Sequence, residues 1–326
     1  TLSYFEFATL AAFFLFSRES LDFALLEVGL GGRLDAVNIV DADVAIISSI
    51  ALDHQDWLGE DLESIAKEKA GILRSKVPLI YGDKQPLKAI TERAEILNAP
   101  LFLADREVGW ERDEDLLTWH WEGMDKGEKV KLSHLPLPSL ALSNVSLAMQ
   151  ALFLFEIKID RGVLNSALSQ LFLPGRFEKR RDKLTSVRVI FDVAHNPESA
   201  KLLGRNLIEE KKNHNNVCQI SAVIAVMADK DVEGIVVALE GSIDKWYLTE
   251  VSDSRCMTAA ELRKQVKLTS FGKICSSEKP IFESYNQACK EAETYGIRHP
   301  GKETAVLVTG SFHTVSALRD LSFQGD

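Results

Sequence analysis

Four short segments carry the residues best suited to chemistry. In EVGLGGRLDAVN, residues 27–38, the carboxylate of Glu27 closes an apolar run and three glycines follow. The glycines lack the GxGxxG order of a dinucleotide fold and the Gly-Lys-Ser/Thr ending of a phosphate loop, so a tight turn explains them equally well. A carboxylate flanked by Ala24, Leu25, Leu26 and Val28 is costly to bury without a cation or hydrogen bonds, which makes Glu27 a candidate metal or substrate ligand. In SSIALDHQDWLG, residues 48–59, Asp53, His54 and Asp56 crowd a second strand end. Oxygen and imidazole donors converging there with Glu27 would suit a divalent cation, although His54 alone reads as a hydrogen-bonded loop histidine. In IAKEKAGI, Lys67 and Lys69 lie on a helix, ordinarily a solvated face. Lys69 runs into Ala70, Gly71 and Ile72, an apolar setting in which an amine shifts its pKa and becomes open to modification. In FDVAHNPES, residues 191–199, Asp192 ends a strand and His195 stands beside a helix N-terminus, placements that suit ribose hydroxyls and phosphate oxygens. Asn196 is the natural cap of the helix that Pro197 begins.

These segments need elements to hold them. TLSYFEFATLAAFFLF has helical spacing and is expected to be a buried helix, and LDFALLEVGL reads as a buried parallel strand. Strands at 41–51 and 77–82 flank EDLESIAKEKAGIL, a helix with Gly71 as its cap. Residues 105–134 alternate in short patches and form an antiparallel excursion. Two amphipathic helices, LSNVSLAMQALFLF and DRGVLNSALSQLF, lead to a Pro174-Gly175 turn that marks a domain boundary. Beyond it VRVIFDVA, CQISAVIAVMA, KWYLTEV and TAVLVTGS alternate with helical segments, the pattern of a doubly wound sheet. DVAHNP, MADKD and TGSFHT all fall at the carboxyl ends of strands, where such sheets bind ligands.

Bulk properties narrow the classes. A chain of 326 residues exceeds what one core usually serves. Lys plus Arg number 38 and Asp plus Glu 48, a net charge of −10 with no basic stripe, which argues against nucleic acid. Cys218, Cys256, Cys275 and Cys289 lack CxxC spacing and read as reduced thiols of a cytoplasmic protein. No apolar run reaches the roughly 20 residues of a membrane helix. The opening residues have neither an initiating Met nor a basic n-region, so the sequence reads as beginning inside a longer element.

Seven segments, EVGLGGRLDAVN, SIALDHQDWLG, IAKEKAGI, LPGRFE, FDVAHNP, MADKD and VLVTGSFHTV, in this order and at these separations, resemble the bacterial bifunctional dihydrofolate synthase/folylpolyglutamate synthase family of the Mur-ligase superfamily. The resemblance runs over nearly the whole chain. It implies an α/β fold: a truncated Mur-ligase-type central ATPase domain with a mostly parallel sheet over residues 1–174, and a C-terminal Rossmann-like doubly wound domain over 175–326. The activity it implies joins L-glutamate to dihydropteroate, and to tetrahydrofolate and its polyglutamates, with ATP as substrate and Mg2+ as cofactor. A substrate carboxylate is phosphorylated and the glutamate amine displaces phosphate. Nucleic acid and membrane are not implied as partners, and a monomer is expected.

By the same resemblance Glu27 and His54 match metal ligands and Lys69 matches a lysine that is carbamylated. Asn144, Arg176 and Asp192 match nucleotide-binding positions, with His195 near the phosphates. Ser3, Tyr4, Phe5 and Glu6, and separately Leu34, Asp35 and Ala36, match pterin-substrate contacts. The family's Gly-Lys-Ser phosphate loop lies upstream of the segment with which this sequence opens. On that reading the chain by itself is expected to expose a sheet edge and to be unstable or inactive. Two alternatives stand beside the bifunctional ligase: a folylpolyglutamate synthase without the dihydropteroate activity, and a non-catalytic fragment.

Overall fold

The computed structural model describes residues 1–52, 58–113, 118–213, 217–269, 273–276 and 279–319. The chain divides into two compact units, Thr1–Gln170 and Leu171–Asp326.

In the first unit a helix, Tyr4–Phe16 (α1), starts from a reciprocal cap: the Ser3 hydroxyl accepts from the Glu6 N–H, and the Glu6 carboxylate accepts from the Ser3 N–H. The helix expected from the spacing is present, but its expected burial is not. Only Thr9 is buried, while Phe7 is 64% exposed and Leu15 61%. Its apolar residues run around the whole circumference, so no single contact face can cover them. Residues 21–30 correct a second expectation. They form no strand, and Leu25 is 95% exposed. An apolar run favours a buried strand only where a neighbouring backbone completes the ladder, and among the described residues 21–28 make no backbone hydrogen bond.

Three short parallel strands follow in the order β1 (Ala45–Ile47), β2 (Leu79–Tyr81) and β3 (Leu101–Leu103), with Ala45 opposite Leu79 and Leu79 opposite Leu101. Helix Leu62–Lys69 (α2) contributes Ile65 and Ala66 to their core, and helix Lys88–Leu97 (α3) contributes Ile90 and Ala94. Gly71 is not the cap of α2. The helix passes through Ala70 into a 3-10 turn, Ala70–Ile72, in which Gly71 serves another purpose described below.

The antiparallel excursion is a three-stranded sheet, β4 (Gly109–Asp113), β5 (Thr118–Asp125) and β6 (Glu128–Pro136). Trp119 and Trp121 of β5 are fully buried. Trp121 stacks on Phe153 of helix Leu142–Leu154 (α4) at 4.9 Å and donates its indole N–H to the Ser146 carbonyl. Gln150 of α4 clamps the Met124 backbone, donating to its carbonyl and accepting from its N–H, both at 2.8 Å. Helix Arg161–Gln170 (α5) ends the unit.

The second unit is a six-stranded sheet in the order β11 (Lys273–Ser276), β10 (Lys245–Leu248), β9 (Val217–Ile224), β12 (Glu303–Thr309), β8 (Arg188–Phe191) and β7 (Glu178–Arg181). All neighbours are parallel except β7 with β8. Helices Pro197–Asn213 (α6), Val232–Leu239 (α7), Ala259–Thr269 (α8), Ile281–Arg298 (α9) and Phe312–Arg319 (α10) connect and cover it. One core lies on each face: Ile190, Ala222 and Leu307 point to one, Phe191, Val223 and Val308 to the other. Both faces of the inner strands are therefore buried, as continuous apolar runs require. On the α9 side Tyr285 donates its hydroxyl to Asp182, and burial pushes the Cys289 thiol up to about 12.

Candidate functional site

In the first unit the glycine segment is folded around Asp35. Its carboxylate accepts from the N–H groups of Gly29 and Leu30, each at 3.0 Å, and from Val37 at 2.9 Å, capping the 3-10 turn Ala36–Ile39. Gly29 lies against Phe5: a Cβ there would stand 2.8 Å from the Phe5 ring. The two proposed pterin segments, 3–6 and 34–36, are thus neighbours through the Phe5–Gly29–Asp35 contact. Leu34 is 78% exposed and Tyr4 89%, leaving both open to a ligand, whereas Ser3 and Glu6 are engaged in the helix cap. That cap, through the N–H of Ser3 and then its hydroxyl, holds the Glu6 carboxyl below its ordinary value.

The other side of the loop grips α2. The Arg33 N–H donates to the Glu68 carbonyl at 2.9 Å and its guanidinium grips the Glu68 carboxylate at 3.0–3.2 Å. Gly32, at φ +156°, would place a Cβ 3.0 Å from the Glu68 carbonyl and 3.3 Å from the Lys69 Cα. Gly71 exists for the same approach, since a Cβ there would meet the Arg33 Cα at 2.5 Å. Lys69, half-buried, accordingly stands beside the glycine loop. Glu27 is exposed on the irregular segment, so the expected cost of burying it does not arise. His54 lies outside the described residues. Asn144 is exposed in the first turn of α4, and among the described residues no hydrogen bond ties its side chain to the other candidates.

The second unit presents its candidates over the carboxyl ends of β8, β12 and β9. Asp192 follows β8; its carboxylate accepts from the Phe177 N–H and the Ala194 N–H, each at 2.9 Å. Desolvation raises its pKa, opposed by those two N–H groups and by the charges of Arg176 and His195. Gly175, at φ +69°, turns the chain so that its carbonyl accepts from the Val193 N–H at 2.8 Å, which sets Arg176 beside Asp192. The Arg176 guanidinium lies 5.6 Å from the Phe312 ring centroid, and the His195 ring lies 5.9 Å from the same centroid. His195 Nδ1 is 2.9 Å from the Val193 carbonyl, which only accepts, so Nδ1 carries the proton of the neutral ring. Asn196 caps α6 as expected, its side-chain oxygen accepting from the Ser199 N–H at 2.9 Å. Gly310, at φ +105°, brings the turn after β12 within 2.5 Å of the Ala225 carbonyl, measured from the Cβ it lacks.

Two features escaped the sequence reading. Phe312, 56% exposed, is the ring shared by Arg176 and His195; its motif TGSFHT was visible, but not that ring's position. Asp253, Arg255 and His313 form a cluster in which Arg255 holds the Asp253 carboxyl far below its ordinary range, and His313 Nε2 is 3.6 Å from Asp253. The loop bearing Asp253 and Arg255 has no sequence signal beyond its polarity.

The second unit is a doubly wound α/β domain with its candidate residues over the strand ends, and the Mur ligase glutamate ligase domain matches residues 175–312. The chain is 38% identical to the dihydrofolate synthase/folylpolyglutamate synthase of Escherichia coli over 98% of its own length and 70% of that protein. The protein of that name from Haemophilus influenzae is 35% identical, over 97% and 72%. Escherichia coli FolC in complex with DHPP and ADP superposes with a TM-score of 0.83 at 36% identity, covering 98% of this chain and 71% of that one. The bifunctional enzyme from Yersinia pestis complexed with AMPPNP and Mn ion gives 0.82 at 35%, covering 98% and 70%. The chain belongs to the dihydrofolate synthase/folylpolyglutamate synthase family, whose members are ATP-dependent ligases.

Proposed function

We propose that the chain carries the working residues of an ATP- and Mg2+-dependent ligase that adds L-glutamate to dihydropteroate and to tetrahydrofolate and its polyglutamates. The observation that carries this reading is the meeting of Arg176 and His195 at the Phe312 ring, with the Asp192 carboxylate feeling the charges of both, at the ends of β8 and β12. Relatives solved with ADP and with AMPPNP and Mn ion support the nucleotide.

In this reading the substrate carboxylate attacks the γ-phosphorus, ADP departs, and the acyl phosphate is opened by the glutamate amine with release of phosphate and a proton. Arg176 holds phosphate oxygens with its planar fork, and Asp192 accepts from ribose hydroxyls. His195, fixed by the Val193 carbonyl, turns Nε2 toward the phosphates, and Asn144 offers its amide from a helix start. Ser3, Tyr4, Phe5 and Glu6 with Leu34, Asp35 and Ala36 contact the pterin, where the Phe5–Gly29 contact already joins the two segments. The carboxylate of Glu27, exposed on its loop, is a hard oxygen donor that fits Mg2+, with His54 as its partner. A cation held there supplies charge neutralisation on phosphoryl oxygens. Lys69, beside the glycine loop, adds carbon dioxide to its neutral amine and releases a proton to become a carbamate anion, which reverses the sign of its charge. The functional boundary falls at Gly175, where the family match begins, and the enzyme acts as a cytoplasmic monomer.

A second reading, folylpolyglutamate synthase alone, draws on the Mycobacterium tuberculosis folylpolyglutamate synthase complexed with ADP, which superposes at TM-score 0.86 with 28% identity. The protein expressed from its whole gene should release phosphate from ATP only with glutamate and a pterin acceptor. Turnover with dihydropteroate selects the bifunctional reading, turnover with tetrahydrofolate alone selects the second, and no turnover with either overturns both.

A further inference from the structure

The antiparallel sheet of the first unit holds a constellation that ligation does not use. Side chains alternate along β5, and with Trp119 and Trp121 buried in the core, His120 between them faces the other way. Asp113 ends β4 opposite Thr118, so it shares the His120 face. The third member comes from a break in the ladder: Trp119 pairs with Leu135 and Trp121 with Leu132, leaving Ser133 and His134 opposite His120 alone. This is a β-bulge, a device that re-aims a side chain, and His134 sits in it at φ +53°. Arg161 pins the bulge by donating to the Ser133 and His134 carbonyls.

The outcome is two imidazoles edge-to-face at 5.1 Å with a carboxylate beside them. His120 Nε2 lies 4.0 Å from the Asp113 carboxylate, beyond hydrogen-bond reach, and His120 Nδ1 is buried with no hydrogen-bond partner among the described residues. One donor atom from each of Asp113, His120 and His134 lies within 4.8 Å of the other two. Ligands on a tetrahedral ion at about 2.0–2.1 Å stand roughly 3.3 Å apart, a closure that small side-chain rotations supply at an exposed His134 and a strand-end Asp113.

We propose that Asp113, His120 and His134 form a site for a transition-metal dication of the Zn2+ class, with a fourth position open to water. Two imidazoles and one carboxylate are the donors such ions take, whereas Mg2+ and Ca2+ prefer all-oxygen sets. The site is independent of the ligase chemistry, and so is its test. Co2+ is titrated into the purified, chelator-treated protein in excess Mg2+, without nucleotide, and the visible d–d spectrum is read. The expected result is one equivalent bound, with four-coordinate absorption and no thiolate charge-transfer band. Loss of an outer-shell partner alone costs a metal site about 10–100-fold, so His134→Asn and His120→Ala should each weaken binding by at least about tenfold. His134→Asn is the safer variant for folding, because Asn tolerates positive φ and the position is exposed. Unchanged binding in His134→Asn, a thiolate band, or no Co2+ bound in excess Mg2+ overturns the proposal.

Discussion

The two units were equally rich in motifs, yet they hold them differently. In the second, Asp192 and His195 follow β8, which is paired on both sides, and Arg176 leads into β7, which is paired with β8; the Gly175 carbonyl and the Asp192 carboxylate tie the turns together. In the first, the glycine loop is anchored at its far end by Asp35 and α2, while most of residues 21–28 and of α1 lie exposed. A motif becomes a fixed geometry when the backbone beneath it is tied into a ladder.

Substitutions that crowd each unit's glycine contact should separate the rigid region from the yielding one. Gly310→Ala forces a left-handed non-glycine residue against the Ala225 carbonyl, and overpacking plus φ strain should cost about 2–4 kcal/mol, seen as a lowered denaturation midpoint of the second unit. Glu178→Gln should cost about 1.5–3 kcal/mol, because the buried carboxylate accepts from the Gly175 N–H and pairs with Arg319. Burial raises the Glu178 pKa, but the Gly175 N–H, Arg319 and Arg180 outweigh it and hold the group below 4.5. Its contribution is therefore full above that value and is lost as pH falls through the folded pKa; the Gln variant should lack this acid-dependent loss in urea melts. Asp192 works in the opposite sense, its raised pKa removing stability as pH climbs from 3.8 through the folded value.

In the first unit the same insult should be absorbed. Gly71→Ala pushes the Arg33 backbone away and forfeits an Arg33–Glu68 pair that is half exposed, about 1 kcal/mol or less. Ligation should nevertheless fall, since the loop leaves Lys69; a large drop in melting temperature would show the first unit to be as rigid as the second. The smallest stability effect belongs to Lys69→Ala, within about 0.5–1 kcal/mol. Full ligation by that variant removes the carbamate, and an intact-mass increment of carbon dioxide on the parent, lost in acid, supports it.

What the sequence made legible follows the same line. Parallel strands buried on both faces announce themselves, so VRVIFDVA and TAVLVTGS fell where expected, and Asn196 and Pro197 marked the start of α6. The strand Glu178–Arg181 was invisible because all four residues are charged; their partners, among them Glu210, Glu303 and Arg319, lie far along the chain. Helix α9 was passed over although it was legible: its buried face, Ile281, Ser284, Tyr285, Ala288, Cys289 and Ala292, recurs at helical spacing, but Ile281 is the one large aliphatic residue on it. The segment 21–30 was misread for the converse reason: its composition suits a strand, but composition does not supply the ladder.

The buried thiol on α9 turns the second unit into its own clock. All four cysteines lie beyond Leu171, and Cys289, 2% exposed with its thiolate suppressed, cannot meet an alkylating reagent until the helix leaves the sheet. Half-buried Cys218 and Cys256 can be blocked first, and peptide mapping separates Cys289 from Cys275 of β11. The slow mass increments that follow at Cys289 then time the opening of that unit alone, and a nucleotide bound over its strand ends would be felt as a slower tick.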